Sequence, residues 1–122
     1  MGTILIVDDN VANRKLARVL VEDMGHEAIF AEDGRDALAS VRERRPDLVL
    51  MDIQMPVMDG YEAFKRLRGD PELAGIPVIA FTSHAMRGDR EKITAAGFDA
   101  YLTKPLDFRQ FRDVVGKYVK EV

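Results

Sequence analysis

Short apolar runs alternate with longer amphipathic stretches along the whole chain, and this alternation constrains the fold more than any other feature. The runs occupy residues 3–8, 26–31, 47–51, 78–82 and 99–103. The first run is apolar at nearly every position, as expected for a strand that is covered on both faces. Strands separated by helical stretches of this length are typical of a parallel sheet built from repeated strand–helix units.

The stretches between these runs carry apolar residues at helical spacing and predict five helices. Asn10 is a suitable N-cap for the first helix and Gly25 a suitable C-terminal residue. The fourth helix is expected from about residue 87 to residue 96, ended by Gly97. The apolar residues that mark the other four are Ala12, Leu16, Val19, Leu20 and Met24, then Ala37, Leu38 and Val41, then Tyr61, Phe64 and Leu67, and finally Phe108, Phe111, Val114, Val115 and Tyr118. We expect Phe108 and Phe111 to face the core.

Five strands in strict alternation with five helices predict an α/β fold. Right-handed crossovers place helices on both faces of the sheet. The expected result is a doubly wound, three-layer α/β/α sandwich of the flavodoxin-like type, with strand order 2-1-3-4-5. The chain has 122 residues, close to the commonest size for one domain. We therefore expect residues 1–122 to form a single domain without an output domain.

The composition argues against several classes of protein. The net charge is -3, whereas a nucleic-acid-binding surface normally shows as a basic stripe. The sequence contains no cysteine, so it offers neither a disulfide framework nor a thiolate metal site. The N-terminus lacks the pattern of a signal peptide, and no apolar run approaches the roughly 18 to 20 residues that span a bilayer. We expect a soluble, cytoplasmic protein that binds neither nucleic acid nor a membrane.

Charged residues follow three of the predicted strands. Asp8 and Asp9 end the first, Asp52 ends the third and Lys104 follows the fifth. Because the carboxyl ends of parallel strands meet in one crevice, three carboxylates there would repel one another unless positive charge lay among them. A hard divalent cation, Mg²⁺ or Mn²⁺, would supply that charge, with Lys104 as a second counter-charge. Each residue also has a structural interpretation, because Asp52 could cap a turn and the other two acids could favour a helix start.

The chain resembles the receiver domain of two-component response regulators over residues 3–119, which is nearly its whole length. The segments that carry the resemblance are Ile4–Asn10, Leu50–Pro56, Met58–Gly60, Thr82 and Lys104–Pro105. Each segment is short, but all five occur in the family's order and at the proper places in the alternation of strands and helices. The pattern over residues 82–89 is similar to receivers of hybrid sensor kinases and to stand-alone cell-cycle regulators.

The resemblance implies a phosphoacceptor and a metal site. Asp52 would be the acceptor, whose carboxylate takes a phosphoryl group from a histidine kinase or a histidine phosphotransfer protein. Asp8 and Asp9 would hold Mg²⁺, Asp9 more directly and Asp8 partly through water. The backbone carbonyl of Gln54 would supply a further ligand.

The resemblance also implies a switch. Lys104 would neutralise a phosphoryl oxygen, with its direction fixed by a cis bond to Pro105. Thr82 would hydrogen-bond the phosphoryl group, and Tyr101 would then turn inward and reshape the surface of the fourth helix, fifth strand and fifth helix; an exposed tyrosine is the alternative. Such a protein is a binding module for a downstream effector rather than a conventional enzyme, and it acts as a monomer or as a phosphorylation-dependent dimer.

The sequence also allows other functions to be considered. The chain could be a receiver cut from a hybrid histidine kinase or a larger regulator. A Mg²⁺-dependent phosphatase with an aspartate nucleophile is the alternative from another class, but it would normally carry a second Asp two residues later, where Asn10 follows Asp8 and Gln54 follows Asp52. A nucleotide-binding or electron-carrying protein is disfavoured because no glycine-rich phosphate loop follows any strand. The complete set of acidic, threonine and lysine residues argues against a receiver-like module that works without phosphorylation.

Overall fold

A computed structural model describes residues 2–53, 58–82, 87–104 and 106–120. These residues form five strands and five helices in alternation. The strands are β1 (Thr3–Val7), β2 (Glu27–Ala31), β3 (Leu48–Asp52), β4 (Val78–Thr82) and β5 (Ala100–Thr103). The helices are α1 (Val11–Asp23), α2 (Gly34–Arg44), α3 (Gly60–Gly69), α4 (Arg87–Ala96) and α5 (Phe108–Val115).

The five strands pair in parallel in the order β2-β1-β3-β4-β5. This order confirms the predicted doubly wound fold, and the predicted limits of each strand are correct to within one residue. Because every strand runs in the same direction, the carboxyl ends of β1, β3 and β4 lie side by side. Asp8, Asp52 and Thr82 stand at these three ends.

Each face of the sheet carries its own hydrophobic core. Successive side chains of a strand point to opposite faces, so Leu5 and Val7 join the core under α2, α3 and α4, whereas Ile4 and Ile6 join the core under α1 and α5. Strands β3 and β4 are buried at every position. Burial on both faces explains the nearly continuous apolar runs in the sequence.

The buried face of α1 differs from the one that the apolar spacing suggested. Leu20 and Met24 are buried, but Leu16 and Val19 are 42% and 57% exposed. The stripe that contacts the sheet also includes Ala17 and Val21, which lie between the residues that marked the helix. An apolar residue on a helix does not have to face the core, because a folded surface always carries some apolar side chains.

The expectation that Phe108 faces the core is wrong, whereas Phe111 is fully buried as expected. Phe111 and Val115, four residues apart, form the buried side of α5. Phe108 lies three residues before Phe111, at the first position of α5, and is 47% exposed, with the guanidinium of Arg112 4.9 Å from its ring centroid. The helix ends at Val115, so Tyr118 lies beyond it.

The helix ends follow the predicted signals. Gly25 and Gly97 have φ angles of 86° and 98°, a left-handed conformation that glycine adopts without steric cost. Asn10 caps α1 as predicted by accepting a hydrogen bond from the Asn13 N–H, and Asp107 caps α5 in the same way through the Gln110 N–H. Within the described part of the chain, no helix combines the length and apolar character that crossing a membrane requires.

Candidate metal centre

The first strand brings two acidic residues to the crevice. Asp8 follows β1 directly and is fully buried, and its backbone N–H donates to the Ala31 carbonyl at 3.1 Å. The Asn10 N–H donates to Asp8 Oδ1 at 2.9 Å, which fixes the orientation of that carboxylate. Asp9, the next residue, is exposed. One acid is therefore buried and held in place, and the other faces solvent.

The third and fourth strands place Asp52 and Thr82 beside this acidic pair. Asp52 is the last residue of β3 and only 3% exposed. It lies opposite Phe81 of β4, and the Ile53 N–H donates to the Phe81 carbonyl at 3.2 Å. Thr82, the next residue of β4, is 1% exposed. The sheet register thus fixes both residues at the same edge.

The start of α3 lies directly against Asp52. A Cβ added to Gly60 would stand 2.5 Å from the Asp52 carbonyl oxygen and 2.6 Å from the Ile53 Cα. The Gly60 N–H donates to the Ile53 carbonyl at 3.3 Å. Only a residue without a side chain allows this approach, which gives a physical reason for the glycine of the motif at residues 58–60.

Three carboxylates converge at this edge of the sheet. One oxygen from each of Asp8, Asp9 and Asp52 lies within 4.8 Å of the other two. Two unit charges at that separation repel by about 3 kcal/mol if the effective dielectric constant is about 20. In addition, Asp8 Oδ2 is buried and accepts no hydrogen bond from the described residues. Carboxylate oxygens from three side chains, gathered this closely, fit a hard divalent cation such as Mg²⁺ or Mn²⁺.

Lys104 contributes one positive charge to the cluster. Its Nζ lies 3.1 Å from Asp52 Oδ2, to which it donates a hydrogen bond, and 3.0 Å from Asp8 Oδ2, an ion pair without hydrogen-bond geometry. Burial alone lowers the pKa of Lys104, but the contacts with Asp8 and Asp52 outweigh it and hold the pKa above its ordinary value. Lys104 is therefore cationic at neutral pH, yet one ammonium group cannot neutralise three carboxylates.

The backbone and the stem of Lys104 are anchored to β4. Its N–H donates to the Thr82 carbonyl at 2.8 Å, which joins the end of β5 to the end of β4. Its Nζ lies 4.9 Å from the centroid of the Phe81 ring, and the side chain is 16% exposed. The ammonium group therefore projects from a fixed base over the crevice.

The other predicted site residues lie at the margin or outside the described part of the chain. Tyr101 of β5 is half-buried, with the Arg90 guanidinium 5.9 Å from its ring centroid. Gln54 and Pro105 fall outside the described residues, so the carbonyl ligand and the cis bond stay predictions. The structure brings Asp8, Asp9, Asp52 and Lys104 together, whereas the role of each stays a prediction.

Two contacts at the site were not predicted from the sequence. One is the approach of Gly60 to the Asp52 backbone. The other joins Arg14 to the acidic pair, because its Nη1 donates to the Asp8 carbonyl at 2.7 Å. The available signal for Arg14 was its position four residues after the helix cap Asn10, which places it one turn along on the same side of the helix.

Comparison with known proteins gives consistent matches over almost the whole chain. A model of the response regulator receiver domain matches residues 4–116. The polar-differentiation response regulator DivK of Brucella anthropi is 46% identical over 117 residues, which are 96% of this chain and 95% of that protein.

Solved structures with the same fold include a receiver domain of a sensor histidine kinase and a chemotaxis protein. The receiver domain of sensor histidine kinase PA1611 from Pseudomonas aeruginosa PAO1, crystallised with a magnesium ion coordinated in its active site cleft, has a TM-score of 0.88 and 32% identity over 96% of each chain. The chemotaxis protein CheY4 of Vibrio cholerae has a TM-score of 0.89 and 28% identity over 98% of this chain and 99% of its own.

Proposed function

The chain belongs to the response regulator receiver domain family, as its motifs predict, and on that premise we propose that Asp52 accepts a phosphoryl group in a reaction that requires Mg²⁺ or Mn²⁺. The donor is a phosphohistidine of a histidine kinase or of a histidine phosphotransfer protein. One observation carries the proposal. The buried carboxyl group of Asp52 has oxygens of Asp8 and Asp9 within 4.8 Å and the Lys104 ammonium at 3.1 Å.

The proposed transfer forms one bond and breaks another. A carboxylate oxygen of Asp52 attacks the phosphorus atom, and the P–N bond of the phosphohistidine breaks. The electron pair of that bond leaves with the imidazole, which takes up a proton. The products are an acyl phosphate on Asp52 and a neutral histidine on the donor. Later attack of water on phosphorus releases inorganic phosphate and restores the carboxylate.

Groups of this chain would prepare Asp52 for the attack. Asp8, Asp9, Asp52 and the backbone carbonyl of Gln54 are the proposed ligands of the cation. When bound, the cation neutralises the carboxylates and the incoming phosphoryl oxygens. Lys104 donates to the Asp52 carboxylate, and its ammonium would shift to a phosphoryl oxygen as charge moves onto that group.

The proposed readout of phosphorylation passes through Thr82 and Tyr101. The hydroxyl of Thr82, buried at the end of the strand next to Asp52, would donate to a phosphoryl oxygen. Tyr101 would then turn inward and reshape the groove of about 430 Å³ that it lines with Arg90 and Thr94. A downstream effector would bind the altered α4-β5-α5 surface, to an extent set by the difference in contact energy between the two states. The protein would act as a monomer or as a phosphorylation-dependent dimer.

Incubation with acetyl phosphate and Mg²⁺, followed by intact-mass measurement, tests the acceptor. The expected result is one added phosphoryl group that is labile to base and is lost on chelation of the cation. Asp52→Asn should abolish the addition. The matched control is Asp47→Asn, which removes a carboxylate just before the other end of β3, where Asp47 Oδ2 accepts from the Thr3 N–H at 2.8 Å.

The same samples separate the alternatives. Labelling that persists in Asp52→Asn means that the acceptor is a different residue. Sustained release of phosphate from small phosphomonoesters would instead support a phosphatase. For the switch, the NMR signals of the Tyr101 ring should move on phosphorylation of the wild type. In Thr82→Ala they should stay in place although the protein still carries the phosphoryl group.

A further inference from the structure

We infer that Arg14 is a positioning residue for the acidic pair: its guanidinium fixes the peptide unit between Asp8 and Asp9 and thereby the directions of both side chains. The inference rests on the proposed function, because it concerns the same metal-binding acids. It adds to that function a residue of α1 that belongs to none of the segments that carry the family resemblance.

The central contact is a short hydrogen bond to a buried carbonyl. Arg14 Nη1 donates to the Asp8 carbonyl oxygen at 2.7 Å. Asp8 is fully buried, and the Arg14 side chain is 16% exposed. A buried carbonyl needs a donor, and a charged donor makes a shorter and stronger bond than a neutral one. The donor to this carbonyl is thus a side chain of α1 and not a neighbouring strand.

The planarity of the peptide bond transmits this contact to the next residue. Because the carbonyl of Asp8 and the N–H of Asp9 lie in one plane, a fixed carbonyl also fixes the direction in which the chain enters Asp9. Asp8 is further held by its N–H to the Ala31 carbonyl and by the Asn10 N–H on its Oδ1. Of these three anchors, only the Arg14 contact acts on the peptide unit that joins the two acids.

Arg14 is well placed to impose this geometry because it stands on the first turn of α1. Its own N–H donates to the Asn10 carbonyl at 3.1 Å, and the Asn10 side chain caps the helix through the Asn13 N–H at 3.0 Å. On its outer side, Arg14 Nη2 lies 3.9 Å from Glu32 Oε1, whose side chain is 76% exposed. An exposed pair at that distance contributes little, so the Asp8 carbonyl is the main partner of Arg14.

The test compares Arg14→Met with Arg18→Met. Arg18 lies one turn further along α1 and pairs with the exposed Glu22 at 3.3 Å, so its removal controls for the loss of a helix arginine. Titration calorimetry with Mg²⁺ should show affinity about tenfold weaker or worse in Arg14→Met, as is usual for residues that orient metal ligands. Arg18→Met should bind Mg²⁺ as the wild type does. In the metal-free protein, the backbone amide signal of Asp9 should shift in Arg14→Met alone.

The outcomes distinguish a positioning role from a merely structural one. If Arg14→Met loses stability towards urea but keeps wild-type Mg²⁺ affinity and an unshifted Asp9 amide signal, the inference is overturned. If Arg14→Met does not fold, Arg14→Gln replaces it; its shorter, neutral side chain does not supply the charged donor at the Asp8 carbonyl, and affinity equal to wild type would overturn the inference. If the wild type itself binds no Mg²⁺, the proposed function fails, and the Asp9 amide alone decides the role of Arg14.

Discussion

The two ends of the parallel sheet differ in how the charges of their acidic side chains are balanced. At the amino end, Asp99 Oδ2 accepts hydrogen bonds from Arg68 Nη2 and from the Val78 N–H, both at 2.7 Å. Arg68 Nη1 donates to the carbonyls of Ala74 and Ile76 at 3.1 and 2.8 Å. Both charges of this cluster therefore have an opposite partner, and the cluster joins the end of α3 to the beginnings of β4 and β5.

At the carboxyl end, three carboxylates share one ammonium group. Asp8, Asp9 and Asp52 converge within 4.8 Å, and Lys104 contacts two of them. If this region served only stability, each carboxylate would be expected to have its own basic partner, as Asp99 has in Arg68 at the amino end. A site that keeps an uncompensated charge indicates that a ligand supplies the missing charge, because departures from local stability cluster at functional sites. The amino end therefore serves stability, whereas the carboxyl end is where the proposed function places the bound cation.

The largest effect on stability is expected at the amino end. Asp99→Ala removes the acceptor of the Val78 N–H and of Arg68 Nη2, and we expect the free energy of unfolding to fall by about 2 to 4 kcal/mol. Urea denaturation of both proteins measures the difference. The control is Glu72→Ala, which removes a pair with Arg45 in which both side chains are more than half exposed. It should cost less than about 0.5 kcal/mol, and an equal loss in both variants would contradict the comparison.

The two ends of α3 provide a second contrast, for which we expect a smaller change in the free energy of unfolding. Gly60→Ala introduces a Cβ that overlaps the backbone of Asp52 and Ile53, and the shift that relieves the overlap should lower the free energy of unfolding by about 2 kcal/mol. Gly69→Ala adds the same atom at the other end of the helix, where nothing lies within 4 Å. This variant should be neutral or stabilised by up to about 1 kcal/mol. Urea titrations of the pair check the sign of each change, and similar losses would refute the proposed close contact behind Asp52.

The arrangement of the strands could be predicted because it depends on local patterns. A strand buried on both faces has a nearly continuous apolar run, and the parallel topology then forces Asp8 and Asp52 to the same edge. The side of a helix that faces the sheet is less determined, because several stripes of α1 are apolar. For that reason, the exposure of Val19 did not follow from the spacing.

Contacts between distant side chains could not be predicted in the same way. Arg68 and Asp99 are 31 residues apart, and nothing in the sequence near either one specifies the other. The hydrogen bond from Arg14 to the Asp8 carbonyl likewise depends on the rotamer of one long side chain. Sequence patterns thus located the acids of the site, whereas the groups that hold those acids in place required coordinates.

The smallest expected change in the free energy of unfolding is a gain, and it concerns a substitution in the acidic cluster. In the absence of divalent cations, Asp8→Asn should raise the free energy of unfolding by about 1 kcal/mol, because it removes a buried charge that repels Asp9 and Asp52. Lys104 keeps its contact with Asp52, and the amide oxygen can still accept from the Asn10 N–H. Urea titrations at fixed ionic strength measure the gain.

Addition of Mg²⁺ should then make the wild type more stable than Asp8→Asn. A ligand at 100 times its dissociation constant stabilises the native state by about 2.7 kcal/mol; the wild type should show this gain and Asp8→Asn should lose most of it. Asp47→Asn, at the amino end, should respond to Mg²⁺ as the wild type does. If Asp8→Asn is instead less stable without metal, the ion pair between Asp8 and Lys104 outweighs the repulsion. The carboxyl end would then be a compensated structural cluster like the one around Asp99, and the contrast between the two ends would not hold.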